Sequence, residues 1–394
     1  MKIALLFRNL RTGGAESQFA QIAEALALRG HEVHMMTFLP GGVFWDWLES
    51  QGHVHLSALF EGNPNQSLGP RTRLKVVPRL HRRLQEIEPD VFYSSNPLIH
   101  LVAWGAMRGL PNIHPVWGVR SMMPWEHWNI AAAALAAAPL SRRVPAMVYN
   151  SRVSIPSWRR AGYRPQREVF IPNGVDTAVF RPSPGGRRAL REAWGVGDEE
   201  TLLGMVARFA AEKDHVTAVK ALARVLPRHP ELRVAMIGPD RDLSMEGVRQ
   251  LATELNLEDR FLWIGPRRDL PEVYSALDGS LLTSWAEGFP NTVLESMSCG
   301  TPVCSTAAGE APYIIGDHGV VVPPRDVDAL ADGIERFLPL LATGALGRAA
   351  RLRAQEMFSI ERLVLRTEAL LADPRGCPLD PQGVPVVDTV PHSA

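Results

Sequence analysis

The chain has 394 residues, 46% of them hydrophobic and 21% charged, with 42 basic side chains balancing 42 acidic ones. This length exceeds what one hydrophobic core organises, so two domains are expected, and the even charge gives no argument for a nucleic-acid partner. Three cysteines (Cys299, Cys304, Cys377) form neither a disulfide framework nor a Cys-x-x-Cys metal site, which fits a reducing cytoplasm.

The first residues, MKIALLFRNL, carry an apolar run too short for a secretory signal. Ile3 to Phe7 reads as a buried strand and RNLRTGGAE as a loop. SQFAQIAEALALRG follows as a helix, with Phe19, Ile22, Ala23 and Leu26 at helical spacing and Gly30 closing it. HEVHMMTF resumes as strand. Leu74, Val77, Leu84 and Ile87 make the next helical stripe, and DVFYSS the next strand. IAAAALAAAPL, from Ile130 to Leu140, is the most membrane-like segment, yet it is about half the roughly 20 residues that span a bilayer. AMVYNS reads as strand and VSIPSWRRAGY as a short helix broken by Pro156. A turn-rich passage, IPNGVDTAVFRPSPGG (171–186), interrupts the pattern, and the domain boundary is placed near its end, giving a first domain of residues 1–182.

The alternation then restarts. TLLGMVARF, ELRVAMIG, RFLWIG, GSLLTS, TPVCST and HGVVVP read as strands. DHVTAVKALARVL, EGVRQLATELNL, LPEVYSAL, NTVLESMSCG and RDVDALADGIERFL read as helices. This pattern predicts an α/β protein with a parallel sheet and helices on both faces in each half. The second domain is expected over 183–356 and a last helix over 357–372, with Ile360, Leu363 and Leu370 to bury. The Pro-rich stretch 373–394 has no period and is expected to be disordered.

Candidate chemistry follows the strands, where two open parallel sheets suggest a ligand in a cleft beyond the carboxyl ends. Gly13 and Gly14 of GGAE follow the first strand and open a helix, which suits either an anion or a plain tight turn. Neither G-x-G-x-x-G nor the P-loop pattern occurs there. Arg208 and Lys213, in ARFAAEKDH, could grip a diphosphate, or be a solvated pair. In SWAEGFPNTVLESMSCGTPV, Glu295 completes a capping box with Thr292, while Glu287 has no such structural role. A loop carboxylate beside Gly288, Phe289, Pro290 and Asn291, just before a helix, suits a site for hydroxyls and phosphate. Asp240/Asp242 and Asp326/Asp328 resemble metal pairs, but such spacing is common and Asp326 opens a helix. No H-E-x-x-H or G-x-S-x-G is present.

VARFAAEKDHVTAVKAL, EGFPNTVLE with its E-x7-E spacing, SCGTPV, TGGAE and IPNGVDTAVFRP occur in the order found in retaining family-4 glycosyltransferases of the GT-B fold, which the chain resembles over residues 1–372. The resemblance implies two Rossmann-like domains facing across a cleft, acceptor-binding first and nucleotide-sugar-binding second. It also implies that the last helix packs back toward the first domain. By resemblance, Arg208 and Lys213 bind the donor diphosphate, Glu295 the ribose hydroxyls, and Glu287 the sugar near the reacting centre. Gly288, Phe289, Pro290 and Asn291 support sugar and phosphate, and Gly13 and Gly14 bring backbone N–H groups to the donor or acceptor. The resemblance further implies that no metal or other cofactor is essential, because cations and helix dipoles would stabilise the leaving nucleoside diphosphate. One departure stands out: Trp117, in PVWGVRSMM, occupies the place of a family histidine, and Trp117 and Arg120 are the residues expected on the acceptor side.

The resemblance implies a nucleotide-sugar donor, expected to be a UDP- or GDP-sugar, and a glycan, a lipid-linked sugar or a small molecule as the acceptor. RTRLKVVPRLHRRL (71–84) could meet anionic lipid at the inner membrane face or be a solvated helix face, and SMMPWEHWN (121–129) could line an acceptor groove, dock on a membrane, or pack in a core. Other readings are a nucleotide-sugar epimerase on this fold and a catalytically silent nucleotide-sugar-binding subunit.

Overall fold

The computed structural model describes residues 1–11, 13–123 and 128–387. They form two compact units, one of Met1–Gly174 with the chain from Ile360 onward, the other of Val175–Ser359. In the first unit the strands are β1 (Lys2–Leu6), β2 (Glu32–Thr37), β3 (His55–Ala58), β4 (Val91–Ser95), β5 (His114–Val119), β6 (Ala146–Tyr149) and β7 (Arg167–Phe170). They pair in the order β3-β2-β1-β4-β5-β6-β7, all parallel. The second unit holds β8 (Thr201–Val206), β9 (Leu232–Ile237), β10 (Phe261–Ile264), β11 (Gly279–Leu282), β12 (Val303–Thr306) and β13 (Gly319–Val322). Their order is β10-β9-β8-β11-β12-β13, again all parallel. The α/β expectation holds in both halves.

Side chains alternate across a strand, so β1 feeds two cores. Ile3 and Leu5 pack with Phe19, Ile22, Ala23 and Leu26 of the Gly14–Leu28 helix. Ala4 and Leu6 pack on the other face with Leu80 and Leu84 of the Val76–Ile87 helix and Ile99 and Ala103 of the Pro97–Ala106 helix. Burial on both faces explains why β1 is a continuous apolar run. The Ile360–Ala372 helix adds Leu363, Val364, Leu370 and Leu371 to the first of these cores. Glu368 fixes it there, accepting from Arg29 Nε at 2.7 Å and lying 2.6 Å from His31 Nε2.

Several expectations need correction. The units divide at Gly174 rather than 182, because Val175 already belongs to the second unit, donating its N–H to the Phe358 carbonyl at 2.8 Å. The return crossing falls at Ser359, three residues past the expected 356. The cationic helix buries Val76, Leu80, Leu84 and Ile87, whereas Leu74 is 81% exposed, because a separate Pro70–Leu74 turn precedes it. Pro156 starts the Ile155–Arg160 helix instead of breaking one, since its missing N–H is no loss in a first turn.

The stretch 373–387 is ordered, against expectation. β7 is an edge strand with unpaired backbone groups, and the stretch covers it. Phe170 donates its N–H to the Gly383 carbonyl at 2.9 Å, Arg167 donates to the Cys377 carbonyl, and Cys377 joins the first core. Residues 388–394, Thr12 of TGGAE, and Pro124–His127 of SMMPWEHWN lie outside the described residues.

Candidate functional site

In the second sheet the connections leave β8 toward β9 and leave β11 toward β12, in opposite directions, while β8 and β11 are neighbours. Such a reversal opens a crevice at the carboxyl ends of the two strands. Arg208 and Lys213 follow β8, and Glu287 follows β11, so the topology brings residues about 80 positions apart to one edge.

Lys213 Nζ donates to Glu287 Oε1 at 2.5 Å, with both side chains largely withdrawn from solvent (15% and 12% exposed). Ser284 Oγ donates to the same oxygen at 2.7 Å. The loops are tied to each other as well. Thr283 Oγ1 donates to the Lys213 carbonyl at 2.9 Å, and Trp285 donates its N–H to the Glu212 carbonyl and its Nε1–H to the Ala211 carbonyl, each at 3.0 Å. Arg208 is exposed, with Nη2 3.9 Å from Glu212 Oε1. The Glu287 loop is braced from behind by Gly309, whose φ of +56° and close approach demand glycine: a Cβ there would lie 2.4 Å from the Gly288 carbonyl oxygen. Glu310 donates its N–H to that same oxygen at 3.0 Å. Phe289 is buried, edge-on to Phe358.

Helix Asn291–Ser298 begins with Pro290 as its N-cap, and no side chain caps it. The capping-box expectation for Thr292 and Glu295 is therefore wrong: both residues lie within the helix, and Pro290 has no N–H for a glutamate to accept. Glu295 instead accepts from the buried Tyr274 hydroxyl at 3.0 Å. Desolvation pushes its carboxyl up to about 7, against the opposing pull of that hydrogen bond. His215, the first residue of the His215–Val225 helix, is fully buried and stacked on Phe209 at 4.4 Å. Burial and then Lys213 depress its imidazole to about 4.

Asp240 Oδ1 accepts from the Met245 N–H at 2.8 Å, Asp242 Oδ1 from the Ala211 N–H at 3.2 Å, and Asp326 caps its helix through the Ala329 N–H at 2.9 Å. Asp328 pairs with Arg224. Each of these acids has a structural partner.

In the first unit, β1 and β4 form the corresponding switch point, and Gly13 and Gly14 sit just beyond β1 at the start of the Gly14–Leu28 helix. The Glu16 carboxylate folds back over Gly13, where a Cβ would lie 2.2 Å from its Oε2, and burial raises its pKa. Arg120 follows β5. Its Nη1 donates to Asn173 Oδ1 at 2.7 Å and its guanidinium lies 5.0 Å from the centroid of Phe19 in that same helix. Trp117 is different. It is fully buried in β5, stacked on His100 at 4.5 Å with 3° between the rings, so it packs a core and forms no acceptor surface. His100 is itself buried, and desolvation lowers its pKa to about 3.

Sequence reasoning missed Ser284, Tyr274, Gly309 and Glu212. Ser284 and Glu212 lay inside the quoted motifs, but Tyr274 and Gly309 approach only through the fold.

Residues 12–179 match the family model described as Glycosyltransferase Family 4, and residues 186–341 the model described as Glycosyl transferases group 1. The chain belongs to the family-4 glycosyltransferases of the GT-B fold. Among curated relatives of this family-4 chain, the D-inositol 3-phosphate glycosyltransferase of Mycobacterium marinum is 34% identical over 220 residues, covering 54% of this chain and 45% of that protein. The protein of the same name from Kribbella flavida is 35% identical over 184 residues, covering 44% and 43%. The matches thus span less than half the length of those two relatives. The solved structure of Anabaena Alr3699/HepE in complex with UDP is similar over 94% of this GT-B chain and 100% of that one, with 25% identity and a TM-score of 0.80.

Proposed function

We propose that the chain is a retaining glycosyltransferase that moves a hexosyl group from a UDP-sugar to an acceptor hydroxyl, using the carboxyl ends of β8 and β11 as its donor site. The observation that carries this reading is the 2.5 Å contact between Lys213 and Glu287 at a topological switch point, with Ser284 on the same carboxylate oxygen. Arg208 and Lys213 hold the diphosphate, Glu295 the ribose hydroxyls, and Glu287 the sugar beside its anomeric carbon. Gly288 to Asn291 line the sugar and phosphate, Gly13 and Gly14 offer backbone N–H groups to the donor, and Arg120 is assigned to the acceptor.

In the reaction the bond from the anomeric carbon to the phosphate oxygen breaks and UDP departs with the electron pair. The acceptor oxygen bonds to the same face of that carbon, and its proton passes to the departing phosphate oxygen. Positive charge at Arg208 and Lys213 stabilises the UDP formed, and no essential metal is assigned to the site. A uridine nucleotide is supported by the UDP named for Alr3699/HepE, and a phosphorylated polyol acceptor by the names of the curated relatives.

We also propose peripheral contact with anionic headgroups through Arg71, Arg73, Lys75, Arg82 and Arg83, which are all exposed, on the cytoplasmic face of the membrane. No helix among the described residues is long and apolar enough to cross a membrane. Co-sedimentation with phosphatidylglycerol vesicles that persisted after neutralising these five cations would end that part of the reading.

The main test is incubation of the purified protein with UDP-hexoses and D-inositol 3-phosphate or glycan acceptors, with and without EDTA, followed by product detection and anomeric analysis. A product with the donor's anomeric configuration is expected in both cases. Product from donor alone, with an inverted sugar centre, would make the protein an epimerase instead.

A further inference from the structure

Glu212 lies between two guanidinium groups at the mouth of the site. Its Oε1 accepts from Arg241 Nη1 at 2.9 Å, while Arg208 Nη2 stands 3.9 Å from the same oxygen, beyond hydrogen-bond range. Arg241 follows β9, outside the motifs that carry Arg208, Lys213 and Glu287.

The backbone fixes this arrangement. Arg241 and Leu243 both donate their N–H groups to the Phe209 carbonyl at 3.1 Å, and the Ala211 N–H donates to Asp242 Oδ1. The loop after β9 is therefore laced to the loop bearing Arg208. The Glu212 carbonyl in turn accepts from the Trp285 N–H at 3.0 Å, which anchors Glu212 to the loop bearing Glu287. Its carboxylate stays within reach of Arg208. An unpaired carboxylate there would draw the Arg208 guanidinium toward itself, in competition with any diphosphate.

We propose that Arg241 is a positioning residue for the nucleoside-diphosphate donor: it holds the Glu212 charge and thereby leaves Arg208 to the phosphates. This rests on the donor reading above. Arg241 acts through Glu212, so its loss should be felt only while Glu212 carries a charge.

That dependence gives the test. UDP binding is measured by calorimetry on the full chain at low salt for wild type, R241K, R241Q, E212Q and the E212Q/R241Q double variant. R241Q should weaken UDP binding about three- to fivefold, the scale of a half-exposed ion pair, and 0.5 M salt should shrink that difference. R241K should bind as wild type does. The double variant should recover to within about twofold of wild type, because a neutral amide at position 212 no longer competes for Arg208. Wild-type affinity in R241Q would overturn the proposal. So would a double variant as weak as R241Q, because Arg241 would then be acting on the phosphates directly or merely holding the loop. Failure of the wild-type protein to bind UDP would refute the donor reading itself, a result distinct from either of these.

Discussion

The hydroxyl of Tyr274 donates to Glu295 Oε2 across 3.0 Å, so a phenol from a neighbouring helix, rather than the helix's own first turn, satisfies this carboxyl. The pair is enclosed well enough that the carboxyl titrates at about 7 in the folded protein, against 4.5 ordinarily.

A raised acid pKa means that the folded state binds the proton more tightly than the unfolded state does. Between pH 4.5 and 7 the folded chain therefore holds more protons, and this site's contribution to stability falls as pH rises through that window. Glu295→Gln keeps the acceptor for Tyr274 and removes the titration. Denaturation between pH 5 and 8 should show a flatter profile for the variant and a higher melting temperature than wild type at pH 8. A profile parallel to wild type would refute this.

Glu287→Gln should separate binding from turnover. The amide can still accept from Ser284 and Lys213, so the loop should hold, at a cost of about 1–3 kcal/mol for leaving the Lys213 ammonium without its counterion. UDP affinity should be unchanged or slightly better, because Lys213 loses a competing charge. Turnover should fall by about two or more orders of magnitude, as for an interaction made mainly in the transition state. Full turnover would remove Glu287 from the reaction.

Lys213→Gln should act in the opposite way on the nucleotide. It leaves Glu287 without its cation and withdraws one charge from the diphosphate, so UDP binding should weaken by about 1.5–3 kcal/mol. Calorimetry on this variant and Glu287→Gln side by side should show weakened binding for Lys213→Gln alone, and equal losses in both would refute the separate roles.

Gly309→Ala places a methyl group 2.4 Å from the Gly288 carbonyl oxygen at a residue with φ +56°. The loop must shift, and a loss of about 1–3 kcal/mol in folding stability is expected together with weaker UDP binding. A variant that melts and binds like wild type would show that the loop yields more easily than this geometry allows.

The alternation of apolar runs revealed both parallel sheets, because strands buried on both faces leave an unbroken hydrophobic signature. The candidate cluster was legible for the same reason: Arg208, Lys213 and Glu287 each follow such a run. What escaped was set by tertiary contacts. Thr292 and Glu295 have the spacing of a capping box, but Pro290 starts the helix earlier, and only the fold brings Tyr274 to the carboxyl. Trp117 stands where the resemblance implies a functional histidine, but its stacking on His100 makes it part of a core. The Pro-rich stretch after Asp373 has no period of its own because its partner is the edge of β7, which no local pattern announces.

Truncation after Ala372 should consequently cost stability. It uncovers the Phe170 N–H and removes Cys377 from the core, for which about 1–3 kcal/mol is expected. Equal melting temperatures for the full and shortened chains would show that the stretch adheres without stabilising.

The first unit is built from both ends of the chain, and this bears on the order in which the protein can be completed on the ribosome. Domains ordinarily finish in the order of synthesis. Here Val175–Ser359 has all its strands and helices once residue 359 has emerged, whereas the earlier unit still lacks Leu363, Val364, Leu370 and Leu371. A nascent chain stalled at residue 359, once clear of the exit tunnel, should show the later-made unit resisting protease while the earlier-made one, its apolar face uncovered, is still cut or held by a chaperone.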